Sequence, residues 1–421
     1  MKGRYQAPKG ARDILPSESH KWRFVEDAFR AVCRDYGYRE IRTPVFEHSD
    51  LFTRSLGDTA DIVTKETYTF EDRSGRSLTL RPEGTAPIAR AYLEHSLGAE
   101  SDCLKLFYAI SIFRYERPQK GRQRQAHQLG LEVIGPESPT ADAEIIALTM
   151  DFFKRLGLPD DALSLQINSV GDATCRPAYR QALLEYARSK ENLLCGLCLD
   201  RMEKNPLRLL DCKNPACQEA MADAPAIDPF LCDQCRAKFD EVQARLNDLG
   251  VAYRRNHRLV RGLDYYTNTA FEVLGGALGA QNALCGGGRY DGLIEELGGP
   301  ATPAVGVAIG IERLLIMIEE LGVSVSEEPR PDLFIIHMGA AAKAKGFEIA
   351  SSLRRKGLAV EFDHNDRSLK AQMRLADKSK ARFAAILGDD ELAAGAITLK
   401  NLDANEQESV ALAELARRLQ R

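Results

Sequence analysis

The sequence predicts an α+β protein in which an antiparallel sheet carries helices on its face. A helical insertion interrupts that sheet, and a smaller α/β domain follows it. Three observations carry this reading. Strand-like segments before residue 322 are joined by hairpins or long loops, which favours antiparallel pairing. A stretch punctuated by Cys, Asn and Pro, 171–255, breaks their rhythm. After a charged, Pro-containing linker at 322–331, strands and helices alternate as in a mostly parallel sheet.

Residues 17–36 are expected to form an amphipathic helix, with Ser17 as cap and Gly37 as terminator. Trp22, Val25, Phe29 and Val32 recur in it at helical spacing. A short strand over 38–42 stops at Thr43-Pro44. Residues 62–70 and 77–81 read as strands about a Glu-Asp-Arg-Ser-Gly-Arg turn, and 104–115 and 125–134 as two more around a polar loop. Strand signals resume at 269–274, and a helix runs from near Gly310 to 321. In the last domain the expected order is strand 332–338, helix 341–356, strand 358–363, helix 368–380, strands 383–388 and 396–401, and helix 407–419.

At 421 residues, two or three domains are expected. The net charge of −4 gives no sign of general nucleic-acid binding, so any RNA contact needs a local basic patch. The N-terminus lacks an apolar signal region, and no run approaches the roughly 18 apolar residues of a membrane span. A cytoplasmic protein with no membrane or DNA partner is expected. Ten cysteines without a signal peptide argue against a disulfide framework.

The chemistry is concentrated in two glycine-bearing segments, Arg261-Gly262-Leu263-Asp264-Tyr265-Tyr266 and Cys285-Gly286-Gly287-Gly288-Arg289-Tyr290-Asp291-Gly292. Arginine and aspartate are rarely buried unless paired, and tyrosine offers a flat face with a polar tip. The mixture suits a pocket for a small polar molecule with a planar side, its glycines leaving room for substrate. Upstream, Arg114, Glu116, Arg117, Gln119 and Arg122 leave a strand for a cationic loop, a pattern suited to phosphate. Gln128 and Glu132 alternate onto one face of the next strand. Glu83 and Thr85 stand at a strand-to-helix turn, and Arg313 in the first turn of a later helix. There is no phosphate-binding P-loop. The 275–288 region is no dinucleotide fingerprint either, since it lacks a βαβ setting with an acidic residue about 20 positions on.

In this order the segments resemble the class II aminoacyl-tRNA synthetases, and the tyrosine-rich pair is similar to that of the histidyl-tRNA synthetase family along essentially the whole chain. The resemblance implies a catalytic domain over 1–325 built on an antiparallel six-stranded sheet, with its insertion at about 171–255. It also implies an anticodon-binding domain over 330–421, and a homodimer with Pro44 near the interface. Histidine and ATP with Mg²⁺ would form histidyl-adenylate, and the histidyl group would pass to tRNA(His). Arg114 would contact the α-phosphate, Arg122 and Arg313 the outer phosphates, with Glu116 also at the ATP site. Arg261 would lie beside the reacting carboxylate and the α-phosphate. Glu83, Thr85, Gln128, Glu132, Tyr265, Tyr266 and Tyr290 would form the histidine pocket, and Arg117 and Gln119 would meet the tRNA acceptor end. Family members usually carry aromatic residues where Gln123 and Ala126 stand here, so one stacking face for adenine differs. A relative that regulates ATP phosphoribosyltransferase commonly lacks the last domain and the arginines, both of which this chain retains. A class II synthetase for another amino acid should lack the tyrosine-rich pair.

Two further features remain. Cys195-x₂-Cys198 and Cys232-x₂-Cys235 have the spacing of a structural Zn²⁺ site, with Cys212 and Cys217 as substitutes or bystanders; the alternative is a set of small packed side chains. Arg367, Lys370, Arg374, Lys378 and Lys380 cluster on or near one helix, as a basic face for RNA backbone or as a solvated surface.

Overall fold

The computed structural model describes residues 5–57, 62–263, 265–278, 282–325 and 328–420. It divides into two compact units, Met1–Ser326 and Glu327–Arg421.

The first unit opens with the helix Pro16–Asp35, which buries Trp22, Val25, Phe29, Val32 and Cys33. Ser17 is not its cap. Pro16 takes the first helical position, where a missing N–H costs nothing, and Glu18 accepts the Leu15 N–H at 3.4 Å. Gly37 turns the chain at φ 76°, as expected for a terminator.

Strands follow as β1 (Arg39–Glu40), β2 (Phe46–His48), β3 (Tyr68–Glu71), β4 (Ser77–Leu80), β5 (Leu104–Phe113), β6 (Gln125–Ile134), β7 (Leu163–Ser169), β8 (Arg254–Arg255), β9 (Thr267–Gly275), β10 (Ala283–Arg289) and β11 (Ala304–Gly310). The strand expected to begin at residue 62 does not. Ile62–Glu66 is a single π-helical turn, and the Glu66 carbonyl instead receives Tyr115 N–H at 2.6 Å. β2, β4 and β3 make a small antiparallel sheet. The large sheet runs β1-β5-β6-β11-β10-β9-β7-β8. Its centre, β5 to β7, is the expected run of six antiparallel strands, and a two-residue parallel strand is added at each edge.

Alternation along β6 separates the two faces. Leu129, Leu131 and Val133 enter a core shared with the helices Pro16–Asp35, Pro139–Arg155 and Ile311–Glu320. Gln128 and Glu132 turn to the opposite face, with Tyr108, Tyr265, Tyr266 and Tyr290. Within the insertion, the helices Arg176–Arg188, Gly196–Lys204 and Pro215–Ala220 enclose their own core around Tyr179, Leu183 and Met202. Its last helix, Asp233–Asp248, serves two cores: Cys235 joins the insertion, whereas Phe239, Val242 and Leu246 join the main one.

The second unit holds β12 (Leu333–His337), β13 (Val360–Phe362), β14 (Phe383–Leu387), β15 (Ala396–Asn401) and β16 (Glu406–Ala411), in the order β13-β12-β14-β15-β16. The first three are parallel and the last two antiparallel. The helix expected over 407–419 is absent as such. Asn405 at φ 55° turns a hairpin into β16, and only Leu415–Leu419 is helical.

Candidate active site

A cleft of about 230 Å³ opens on the polar face of the large sheet. It brings together Glu83, Thr85, Arg114, Glu116, Arg122, Gln128, Arg261, Tyr265, Tyr266, Tyr290 and Arg313, drawn from segments far apart in sequence. Two environments meet in it.

One end is cationic. Arg114 donates to the Pro82 carbonyl at 2.8 Å, Arg122 pairs with Glu116, and Arg313 donates to the Ala283 carbonyl at 2.5 Å. Arg261 reaches Glu272 at 3.4 Å. Burial lowers the pKa of Arg114, Arg122 and Arg313. The remaining cations push the same way: Arg261 on Arg114, Arg114 on Arg122, and Arg122 with Arg114 on Arg313. Guanidinium groups held this close gain from a polyanion set among them. The Arg261 Nε is buried without a hydrogen-bond partner, a donor free for an incoming oxygen.

The other end is built from tyrosines and carboxylates. Glu83 accepts the N–H groups of Thr85 at 2.7 Å and Ala86 at 2.8 Å, fixing the start of the helix Thr85–Glu94. Thr85 Oγ1 donates to Glu132 at 2.8 Å, and the Tyr290 hydroxyl donates to its other oxygen. Glu132 itself is wholly buried behind these two groups. Burial raises the pKa of both carboxylates, Glu132 to about 8. Gln128 Oε1 is buried and unpartnered, an acceptor suited to a ligand N–H.

A family model described as histidyl-tRNA synthetase matches residues 10–314, and one described as an anticodon binding domain matches 332–421. The chain belongs to the histidyl-tRNA synthetase family. A histidine–tRNA ligase of Caldanaerobacter subterraneus subsp. tengcongensis is 50% identical over 97% of this chain and 98% of its own length. One from Pelotomaculum thermopropionicum is 52% identical over 96% and 95%. The apo histidyl-tRNA synthetase of S. aureus superposes with a TM-score of 0.84 at 38% identity, covering 99% of this chain and all of its own.

In this synthetase-family chain three glycines at or beside the cleft make room for the protein's own groups. A Cβ on Gly286 would lie 1.9 Å from the Arg261 guanidinium, one on Gly306 1.8 Å from the Glu132 carboxylate, and one on Gly287 2.3 Å from the Gly306 carbonyl. The space they leave is filled by the protein's own arginine, carboxylate and backbone. Ala283–Arg289 is a buried strand for the same reason, although its glycines hide this from strand propensity.

Other parts of the two segments also differ from expectation. Arg289 does not face the cleft. It is buried against Asp142, Asp291 and the carbonyls of Pro136 and Ser138. Asp291 is equally occupied, accepting from Ala304 N–H and Asn268. Asp264 lies outside the described residues. Arg117 and Gln119 sit exposed on the loop after β5, away from the cleft walls. Gln123 and Ala126 do line it.

Sequence reading missed His127 and Glu312, which both line the cleft. Glu312 accepts from His127 N–H at 3.0 Å and contacts its Nδ1 at 2.8 Å, binding the start of β6 to the helix that carries Arg313. The adjacency of Glu312 to Arg313 was the available signal.

The four cysteines expected to share a metal do not converge. Cys195 and Cys198 meet Cys212 and Cys217, whereas Cys232 and Cys235 meet Cys175 and Asp172. Sequence spacing ranks pairs by separation along the chain. Here the packing of the insertion helices brings each pair to a different neighbour.

Proposed function

We propose that this chain ligates L-histidine to tRNA(His) in two steps, through a histidyl-adenylate. The observation that carries the reading is a cluster of four arginines opening directly onto a pocket of tyrosines, carboxylates and an unpartnered Gln128 acceptor. In the first step the ionised histidine carboxylate attacks the α-phosphorus of ATP. An O–P bond forms, the bond to the β-phosphate oxygen breaks, and pyrophosphate leaves. The nucleophile is already charged, so no general base is required; alignment and charge neutralisation lower the barrier. Arg114 and Arg261 serve at the α-phosphate, with Arg261 also orienting the carboxylate. Arg122, held by Glu116, and Arg313 take the outer phosphates. In the second step the histidyl group moves to the terminal adenosine of the tRNA and AMP leaves.

Mg²⁺ arriving with ATP would neutralise phosphate charge, and Glu116 and Glu312, the cleft carboxylates at its arginine end, offer the hard oxygen donors that would hold it. Selectivity rests on Glu83, Thr85, Gln128, Glu132, Tyr265, Tyr266 and Tyr290. A pocket that hydrogen-bonds the amine and imidazole rejects analogues lacking them more strongly than an apolar one. Arg117 and Gln119, exposed beyond the cleft, suit the tRNA acceptor end, and residues 330–421 the anticodon. The reading includes a homodimer in the cytoplasm, with Pro44 at the interface; Arg81 grips the carbonyls of Thr43 and Pro44 at 2.8 and 3.0 Å and so fixes that turn. A structural zinc in the 171–255 insertion belongs to it too, with a part in folding and none in the chemistry. No helix among the described residues is long and apolar enough to cross a membrane.

ATP–pyrophosphate exchange measured across the amino acids tests the proposal. Exchange with histidine alone, followed by histidine-dependent charging of tRNA, is the expected result. Exchange driven by another amino acid would make the chain a different synthetase, and none at all would leave a non-catalytic relative.

A further inference from the structure

We propose that the insertion holds two separate zinc ions, one on Cys195, Cys198, Cys212 and Cys217 and the other on Cys175, Cys232, Cys235 and Asp172.

In each group the ligand atoms all lie within 4.8 Å of one another. The sulfurs of Cys195 and Cys212 are 3.9 Å apart, and those of Cys175 and Cys235 3.8 Å. A tetrahedral zinc with Zn–S bonds of about 2.3 Å sets its sulfurs roughly 3.8 Å apart. A disulfide would need about 2.05 Å. The spacing therefore fits a shared cation and not an S–S bond.

Helix ends and backbone donors are arranged around several of the sulfurs as they are around metal-bound thiolates. Cys175, Cys195 and Cys232 each sit at the N-cap of a helix, Arg176–Arg188, Gly196–Lys204 and Asp233–Asp248 respectively. The positive end of a helix dipole stabilises a negative sulfur there. Backbone N–H groups also point at the sulfurs: Cys195 at Cys217 (3.1 Å), Asn214 at Cys212 (3.5 Å), Asp172 at Cys175 (3.3 Å) and Cys235 at Cys232 (3.5 Å). Such outer contacts orient metal ligands and spread their charge. On binding, the thiols release their protons to solvent and the ion replaces them.

The second group has a consequence for the cleft. Cys175 precedes Arg176, whose guanidinium donates to the Tyr266 carbonyl and to the Val170 carbonyl at 3.0 Å. A zinc tying Cys175 and Asp172 to Cys232 and Cys235 thus fixes the root of a pocket wall. This extension rests on the ligase reading; the metal count does not.

Full-length protein purified without chelator is expected to contain two zinc ions per chain by mass spectrometry of the metal. Cys198→Ser and Cys235→Ser should each retain one. Zero or one ion in the wild-type chain overturns the proposal, as does loss of both ions in either variant. Cobalt exchanged into the two variants distinguishes the ligand sets. Cys235→Ser should give the stronger sulfur-to-cobalt charge-transfer band of a four-sulfur site, and indistinguishable spectra would overturn the division of ligands. In pyrophosphate exchange, Cys235→Ser should raise KM for histidine several-fold with kcat nearly unchanged, whereas Cys198→Ser should change neither. An unchanged KM in Cys235→Ser overturns the coupling to the pocket. Absence of exchange in the wild type would count against the ligase reading and leave the metal count standing.

Discussion

The Tyr290 hydroxyl donates a hydrogen bond to Glu132, a carboxylate with no solvent exposure, and so links the residue just after the glycine-rich strand β10 to β6 at the floor of the cleft. Thr85 donates to the other oxygen at 2.8 Å. The carboxylate is satisfied by hydroxyl donors but pairs with no cation among the described residues.

That balance predicts a pH dependence. Burial, the largest cause, lifts Glu132 from 4.5 to about 8. Between those values the folded chain holds a proton that the unfolded chain has released, so raising pH favours unfolding. The effect is on the order of a few kcal/mol. The thermal midpoint of the ligand-free protein should therefore fall more steeply from about pH 5 to about pH 8 than that of Glu132→Gln. Parallel curves would contradict the buried, proton-binding carboxylate. Histidine binding should weaken the trend, because a positive charge brought near favours the ionised form.

Gly286→Ala tests the positioning of Arg261. The new Cβ would meet the far end of that flexible side chain at 1.9 Å, so the fold is retained while the guanidinium is displaced. Exchange should fall by about 10²-fold, the usual cost of removing one well-placed donor to a developing charge. Near-normal exchange, with an unchanged melting curve, would remove Arg261 from the reaction.

Arg289 should behave in the opposite way. Its partner Asp142 is fully buried, so Arg289→Met leaves an unpaired charge inside the protein. Urea unfolding should show a loss of about 3–5 kcal/mol, with KM for histidine unchanged in the folded fraction. A raised KM with intact stability would mean that Arg289 serves the pocket.

In the second unit, Lys370, Arg374 and Lys378 are exposed on the helix Leu369–Ser379, while Arg367 is paired with Asp363. Reversing charge at Lys370 and Lys378 together should raise KM for tRNA several-fold and flatten its salt dependence, with exchange unaffected. Equal effects on exchange and charging would dissociate this face from RNA.

The sequence by itself determined the helices with regular apolar spacing, the β5–β6 hairpin, the central antiparallel sheet and the residues that gather in the cleft. The helices, strands and antiparallel tendency follow from local periodicity; the six-stranded count and the meeting of the arginines, carboxylates and tyrosines in one cleft follow from the family resemblance that those residue types carry. Tertiary structure alone decided the rest. Sheet pairing made a strand of glycine-rich 283–289, and an asparagine turn made a strand of 406–411 inside the span expected as a helix. Packing across the sheet turned Arg289 inward and Arg261 toward the cleft, although both motifs present an arginine in the same company. The cysteines divide in the same way: spacing along the chain marks them as ligands, but which four meet depends on how the insertion helices pack.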